Sequence, residues 1–153
     1  MNATPHPPCP DVTALDVDVR DAPSLLRAGA ARVGGHAGVA ADAVYRALER
    51  RELAASTALG HGVAVPHARI ASLPHPTTLF LRTKAPIAFR APDREPVQLF
   101  YAILVPADGD PDSHLALLAR VVEAFRDPVV RQRLAAATDE RAVHDALAAA
   151  LPA

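Results

Sequence analysis

The sequence predicts an α/β domain in which a small mixed sheet is covered by helices. Three observations carry that expectation. The middle of the chain holds two extended stretches, TTLFLRT (77–83) and PVQLFYAILV (96–105), and the second is apolar on both faces, as a central, doubly covered strand must be. Helix-period patterns stand on either side of these stretches, before residue 53 and after residue 113. The 153 residues, 50% hydrophobic and 22% charged, fit one domain able to bury a core without disulfide or metal support.

Taken in order, residues 1–13, with four prolines in MNATPHPPCPD, read as a disordered leader ahead of a domain over 14–153. LDVDVR (15–20) alternates as a short strand. Asp21 caps a helix that tolerates Pro23 in its first turn and runs to about Val33, where Gly34 and Gly35 end it. A second helix follows over HAGVAADAVYRALERRE, with Val44, Leu48 and Arg51 on one face. LAASTALGH (53–61) reads as a loop, 62–66 as a short strand, and ARIASLPHP as irregular. TTLFLRT is a strand, and IAFR (87–90) with PVQLFYAILV reads as a hairpin across the turn residues of APDRE. PADGDPDS is a loop whose Asp112 and Ser113 are N-cap candidates for a helix placing His114, Leu118, Val121, Val122 and Phe125 on one face. Asp127–Pro128 restarts a helix, and Thr138, followed by Asp139 and Glu140, starts the last one.

Composition excludes several function classes. Sixteen Lys and Arg against seventeen Asp and Glu leave no broad basic field for nucleic acid or an anionic membrane. The longest apolar run, VQLFYAILV, is far short of a membrane span, so no membrane insertion is expected. The single cysteine, Cys9, permits no disulfide within the chain, which fits a reducing, cytoplasmic setting. There is no phosphate-loop motif, no G-x-S-x-G elbow and no H-x-x-x-H or C-x-x-C pair, so no cofactor or metal is expected. His61 and His67 could approach each other, but a third ligand is not apparent. His6, His36, His75 and His144 read as surface residues.

Three side chains stand out. Pro66 lacks a backbone donor and keeps Val65 extended, so the chain reaches His67 at a defined angle; a plain loop histidine at a strand end is the other reading. His114 falls in the first turn of a helix, where the dipole disfavours imidazolium and a neutral ring could donate to an anion; a ring simply packed at a helix start is the alternative. Arg51 continues an apolar stripe and needs a carboxylate, a phosphate or an exit to water.

The run RELAASTALGHGVAVPHAR closely resembles the active-site region of the phosphotransferase-system IIA proteins of the fructose, mannitol and nitrogen-regulatory class. Its pattern is roughly R-E-x-x-x-S-T-x-x-x-x-G-[IV]-A-[IV]-P-H-[GA]-[RK], and Arg51, Glu52, Ser56, Thr57, Gly62, Pro66 and His67 fall in place. The stretch APIAFRAPDREPVQLFYAILVPADGDPDSHLALLARV resembles the same family and ends near its second histidine, His114. The resemblance spans about residues 15–150. It implies a mixed parallel and antiparallel sheet between helical layers. It implies that His67 accepts a phosphoryl group through Nε2 from a phosphohistidine on an HPr-like carrier (NPr in the nitrogen branch). His114 would donate to that group, Arg51 would supply charge, and the Ser56–Thr57 loop would shape the binding site. No metal enters that scheme, and contact between two proteins calls for a shallow site with apolar surface around His67. The chain looks most like the nitrogen-regulatory branch, whose members signal to regulatory targets. The alternatives are a sugar-route component that passes phosphate to a separate IIB, and a module that works by contact alone. Two departures are His61, where that branch often has Asn in G-N-G, and Ala68, where Gly is common.

Overall fold

The computed structural model describes residues 9–150 and is a three-layer α/β/α structure. The leader expected over 1–13 lies outside the described residues for its first eight positions. The first strand, β1, spans Val12–Val17, earlier than the 15–20 expected, and pairs in parallel with β5. Helix α1 (Ala22–Ala37) has Asp21 as its N-cap, accepting from the Ser24 amide at 2.8 Å, with Pro23 in the first turn. It does not stop at Gly34–Gly35. A Cβ on Gly34 would lie 2.8 Å from the Val39 carbonyl oxygen, so this glycine lets the next connection cross the helix closely, and the left-handed Gly38 ends it.

Helix α2 (Ala41–Ala54) buries Val44 and Leu48 and carries Arg51 in its last turn. The expected loop 53–61 contains a short strand, β2 (Ala58–Gly60), antiparallel to β3 (Val63–Ala64). The segment after His67 is a strand, not irregular chain: β4 (His67–Ile70) alternates in burial and runs parallel to β6. Only the neighbouring strand makes four residues extended there, so the local sequence could not show it.

β5 (Thr77–Ile87) and β6 (Val97–Pro106) form the antiparallel centre, in register from Thr77↔Leu104 to Arg82↔Leu99. The hairpin partner of β6 is therefore TTLFLRT; of IAFR only Ile87 joins the strand, opposite Val97. The order across the sheet is β1-β5-β6-β3-β2, and β4 also pairs with β6. β3 and β4 thus lie end to end along one side of β6, interrupted at Val65–Pro66.

The remaining elements are α3 (Pro111–Arg126), α4 (Pro128–Ala136) and α5 (Glu140–Ala150). The cap of α3 is Asp110, two and three residues ahead of the expected Asp112 and Ser113, because Pro111 takes the first helical position. Asp127 caps α4 as expected, and Asp139 rather than Thr138 accepts from the Ala142 amide at the start of α5. Two apolar cores flank the sheet. Leu25, Val33, Val44, Leu48, Leu81 and Phe100 pack under α1 and α2. Phe80, Tyr101, Ile103, Phe125, Leu134 and Leu147 pack under α3–α5. Arg82, 6% exposed, donates to the carbonyls of Leu134, Ala135 and Ala137 and to Asp16, so a buried cation closes the end of α4. Among the described residues no helix is long and apolar enough to cross a membrane.

Candidate functional site

Three segments far apart in sequence meet where β3 gives way to β4. After Ala64 the chain leaves the ladder for two residues. The Val65 amide turns to the Thr57 carbonyl at 3.0 Å, and the Pro66 carbonyl accepts from the Ile103 amide at 2.9 Å. His67 then opens β4, half-buried, its backbone opposite Ile103. Its Nδ1 lies 2.9 Å from the Val65 carbonyl oxygen, a pure acceptor, so Nδ1 carries the proton and Nε2 the lone pair. Arg51, from the last turn of α2, donates through Nε to that Nε2 at 3.3 Å and through a terminal nitrogen to the Ala55 carbonyl at 2.7 Å. The arginine's partner is thus the histidine itself.

His114 is the fourth residue of α3, and its ring centroid lies 5.7 Å from that of His67, the planes tilted by 50°. Its Nδ1 is buried with no hydrogen-bond partner. Burial lowers the pKa of His67 below the ordinary histidine value; the Val65 carbonyl opposes this and the Arg51 charge adds to it. Burial likewise lowers His114, helped by His67 and Arg69. Two neutral imidazoles and a guanidinium therefore face one small region, a set of groups suited to a phosphoryl dianion.

The structure brings His67, Arg51 and His114 together. Ser56 and Thr57 have their hydroxyls engaged elsewhere in the protein: Ser56 donates to the Phe89 carbonyl at 3.0 Å, and Thr57 donates to Glu52. His61 is exposed and left-handed (φ 56), between Gly60 and Gly62, and its amide donates to Asp93 at 2.9 Å. It faces the β5–β6 connection. Asn and His are both tolerated in that backbone region, which accounts for the exchange of one for the other. Ala68 has ordinary strand geometry and is buried. His36 and His75 are exposed, and His144, partly covered beside Glu140, keeps a third of its side chain at the surface. Among the described residues no three His, Cys, Asp or Glu side chains gather as a metal site requires. Leu53 and Leu115, near Arg51 and His114 in sequence, are 70% and 59% exposed. Sequence reading gave no role to the Val65 carbonyl, Arg69 or Glu52; a backbone acceptor has no sequence signal.

Comparison with known proteins matches the chain to a family. Residues 10–150 match the model of the phosphoenolpyruvate-dependent sugar phosphotransferase system, EIIA 2. A nitrogen regulatory protein of Bradyrhizobium diazoefficiens is 33% identical over 91% of this chain and 90% of its own. The fructose-specific EIIA component of Haloferax volcanii is 38% identical over 70% of this chain and 69% of its own. The crystal structure of the nitrogen regulatory protein IIA-Ntr from Neisseria meningitidis superposes with a TM-score of 0.84 at 31% identity, covering 88% of this chain and 92% of that one.

Proposed function

This chain belongs to the EIIA 2 family of the phosphoenolpyruvate-dependent sugar phosphotransferase system, a family of phosphoryl carriers, and from that premise we propose that His67 is the residue that takes up the phosphoryl group. The observation that carries the reading is the engagement of both ring nitrogens: Nδ1–H on the Val65 carbonyl leaves the Nε2 lone pair as the nucleophile, directed at Arg51.

In the proposed step the Nε2 lone pair attacks the phosphorus of a donor phosphohistidine. A new N–P bond forms as the donor's N–P bond breaks, and its electron pair returns to the donor nitrogen. His67 keeps its Nδ1 proton and becomes a phospho-imidazolium, while a cationic donor leaves as neutral imidazole, so no proton changes hands. Arg51, displaced from Nε2, turns its N–H groups to the phosphoryl oxygens, and His114 donates to the same group. Phosphoryl transfer of this kind rests on alignment and charge stabilisation, which these three side chains supply. Thr57 and Ser56 hold the wall of the site. The donor is an HPr-like carrier, NPr in the nitrogen branch, and the setting is the cytoplasm.

The family works with phosphocarrier donors and IIB partners. Near-full-length similarity to nitrogen regulatory proteins supports a regulatory signal as the outcome, the dianion changing the charge of a binding surface. The 38% identity to a fructose-specific EIIA component supports a second reading, in which the group passes on to a IIB partner. The test is phosphoryl transfer from phosphoenolpyruvate through enzyme I and an HPr-like carrier, followed by intact mass. Wild type should gain one acid-labile phosphate, His67→Ala none, and His114→Ala the same phosphate about tenfold to a hundredfold more slowly with its fold intact. Full-rate labelling of His67→Ala would overturn the assignment. No labelling of the folded wild type by any carrier would put the contact-only module first.

A further inference from the structure

Glu52 follows Arg51 in the last turn of α2, and nothing in the proposed chemistry uses it. Its position is locally unfavourable. A carboxylate at a helix C-terminus opposes the dipole, and this one is half-buried, which pushes its carboxyl above the ordinary range. Residues that break a local rule of this kind concentrate where function requires them.

Its contacts lead to the acceptor ring. One carboxylate oxygen of Glu52 accepts the Thr57 amide at 3.1 Å, and the other accepts the Thr57 hydroxyl. Thr57 is buried, and its carbonyl accepts the Val65 amide at 3.0 Å. Val65 in turn presents its carbonyl to His67 Nδ1 at 2.9 Å. Arg51, one residue earlier, grips the opposite nitrogen of the same ring.

We infer that Glu52 is a positioning residue for His67: through Thr57 and Val65 it fixes the Nδ1–H tautomer and the direction of Nε2, so that neighbouring residues at the end of α2 hold one imidazole from both of its nitrogens. The proposal rests on the reading of His67 as acceptor for its effect on rate, but not for its effect on the ring. Thr57 Oγ1 and the Thr57 amide are both tied by one carboxylate, and in the two-residue gap between β3 and β4 the Val65 amide is held by the Thr57 carbonyl while Pro66 is held from the other side by the Ile103 amide. Loss of Glu52 loosens the Thr57 side of that gap, the side that holds Val65. As phosphorylation places positive charge on the ring, the Nδ1–H bond to Val65 strengthens, so its alignment matters most in the transition state.

The experiment compares Glu52→Ala and Glu52→Gln with wild type in two measurements, the ¹⁵N shifts of the His67 ring and the rate of phosphorylation by phosphoramidate, a small donor that needs no docking. Gln keeps an acceptor for the Thr57 amide and offers an N–H to its hydroxyl. Glu52→Ala should move His67 toward a mixture of tautomers and slow phosphorylation about tenfold to a hundredfold. Glu52→Gln should restore the Nδ1–H signature and bring the rate to within about threefold of wild type. A folded Glu52→Ala with the wild-type ring signature would overturn the proposal, as would a Glu52→Gln as slow as Glu52→Ala. If Glu52→Ala does not fold, Thr57→Val, which deletes one of the two links, should give the same shift in smaller measure, and an unchanged ring there is equally decisive against it. Labelling of His67→Ala at full rate would instead remove the acceptor assignment and leave the ring measurement standing.

Discussion

The β3–β4 junction and the first turn of α3 each deliver a histidine to the same spot, and they do so in opposite ways. At the junction, His67 is held through both nitrogens, its backbone is locked to the central strand, and the residues before it are tied to Thr57 and Ile103. At the helix, His114 rides on a capped but largely surface-lying turn, with a buried Nδ1 that has no partner. A nucleophile must point one lone pair in one direction, whereas a group that answers a developing charge can settle its tautomer when the charge arrives. The difference in anchoring therefore matches the difference in task proposed for the two rings, and it can be attacked experimentally.

The largest effect should come from making the first region resemble the second. Arg51→Ala leaves Nε2 of His67 without its donor and removes one cation from the site. Transfer to His67 should slow about a hundredfold. Because the Arg51 charge is one of the causes holding His67 low, the His67 midpoint should also rise, which an NMR titration reads directly. Arg51→Lys should recover only part of the rate, since an ammonium supplies charge but not a planar fork. A rate unchanged in Arg51→Ala would mean that anchoring at Nε2 has no part in catalysis.

A smaller effect concerns acidity, where the two regions behave alike. Both rings are lowered below the ordinary value near 6.5. If His67 is the acceptor, as proposed, it must be neutral, so the transfer rate should stay level as pH falls through about 6.5 and drop only below it. The sign for stability follows from the same shifts. The unfolded chain takes up protons at these two positions before the folded one does, so stability present above about 6.5 is lost as pH falls through the lower, folded values. Urea unfolding at a series of pH values should show a steeper acid decline for wild type than for a His67→Ala/His114→Ala double variant. Equal slopes would show that burial does not set these rings apart from the unfolded chain.

Much of the fold could be read in the chain, for physical reasons that also mark where reading failed. β6 announced itself because a strand covered on both faces has no polar alternation to confuse it. The caps Asp21 and Asp127 were legible because capping is local chemistry. β4 was not, since its extended form depends on β6, thirty-odd residues away. The glycines of α1 misled because Gly34 serves a close approach and not a stop. At the candidate site, the three side chains singled out in the chain, His67, Arg51 and His114, come together in space, and the structure adds what the sequence could not show: that the arginine donates to the histidine, and that a carbonyl faces its Nδ1.

The smallest expected effect belongs to a third histidine that takes part in neither region. His61 lies six residues before His67, yet it is exposed and its amide donates to Asp93 in the β5–β6 connection. What the position demands is a left-handed backbone between two glycines of positive φ. Asn meets that demand as well as His, whereas a β-branched side chain clashes with its own carbonyl there. His61→Asn should therefore leave stability within about 0.5 kcal/mol of wild type and the transfer rate unchanged. His61→Val should cost about 1–2 kcal/mol in urea unfolding while still accepting phosphate at His67. The pair separates backbone from ring: a loss of transfer rate in His61→Asn at full stability would show that the imidazole reaches the phosphoryl group after all, and would add a third histidine to the comparison on different terms from the first two.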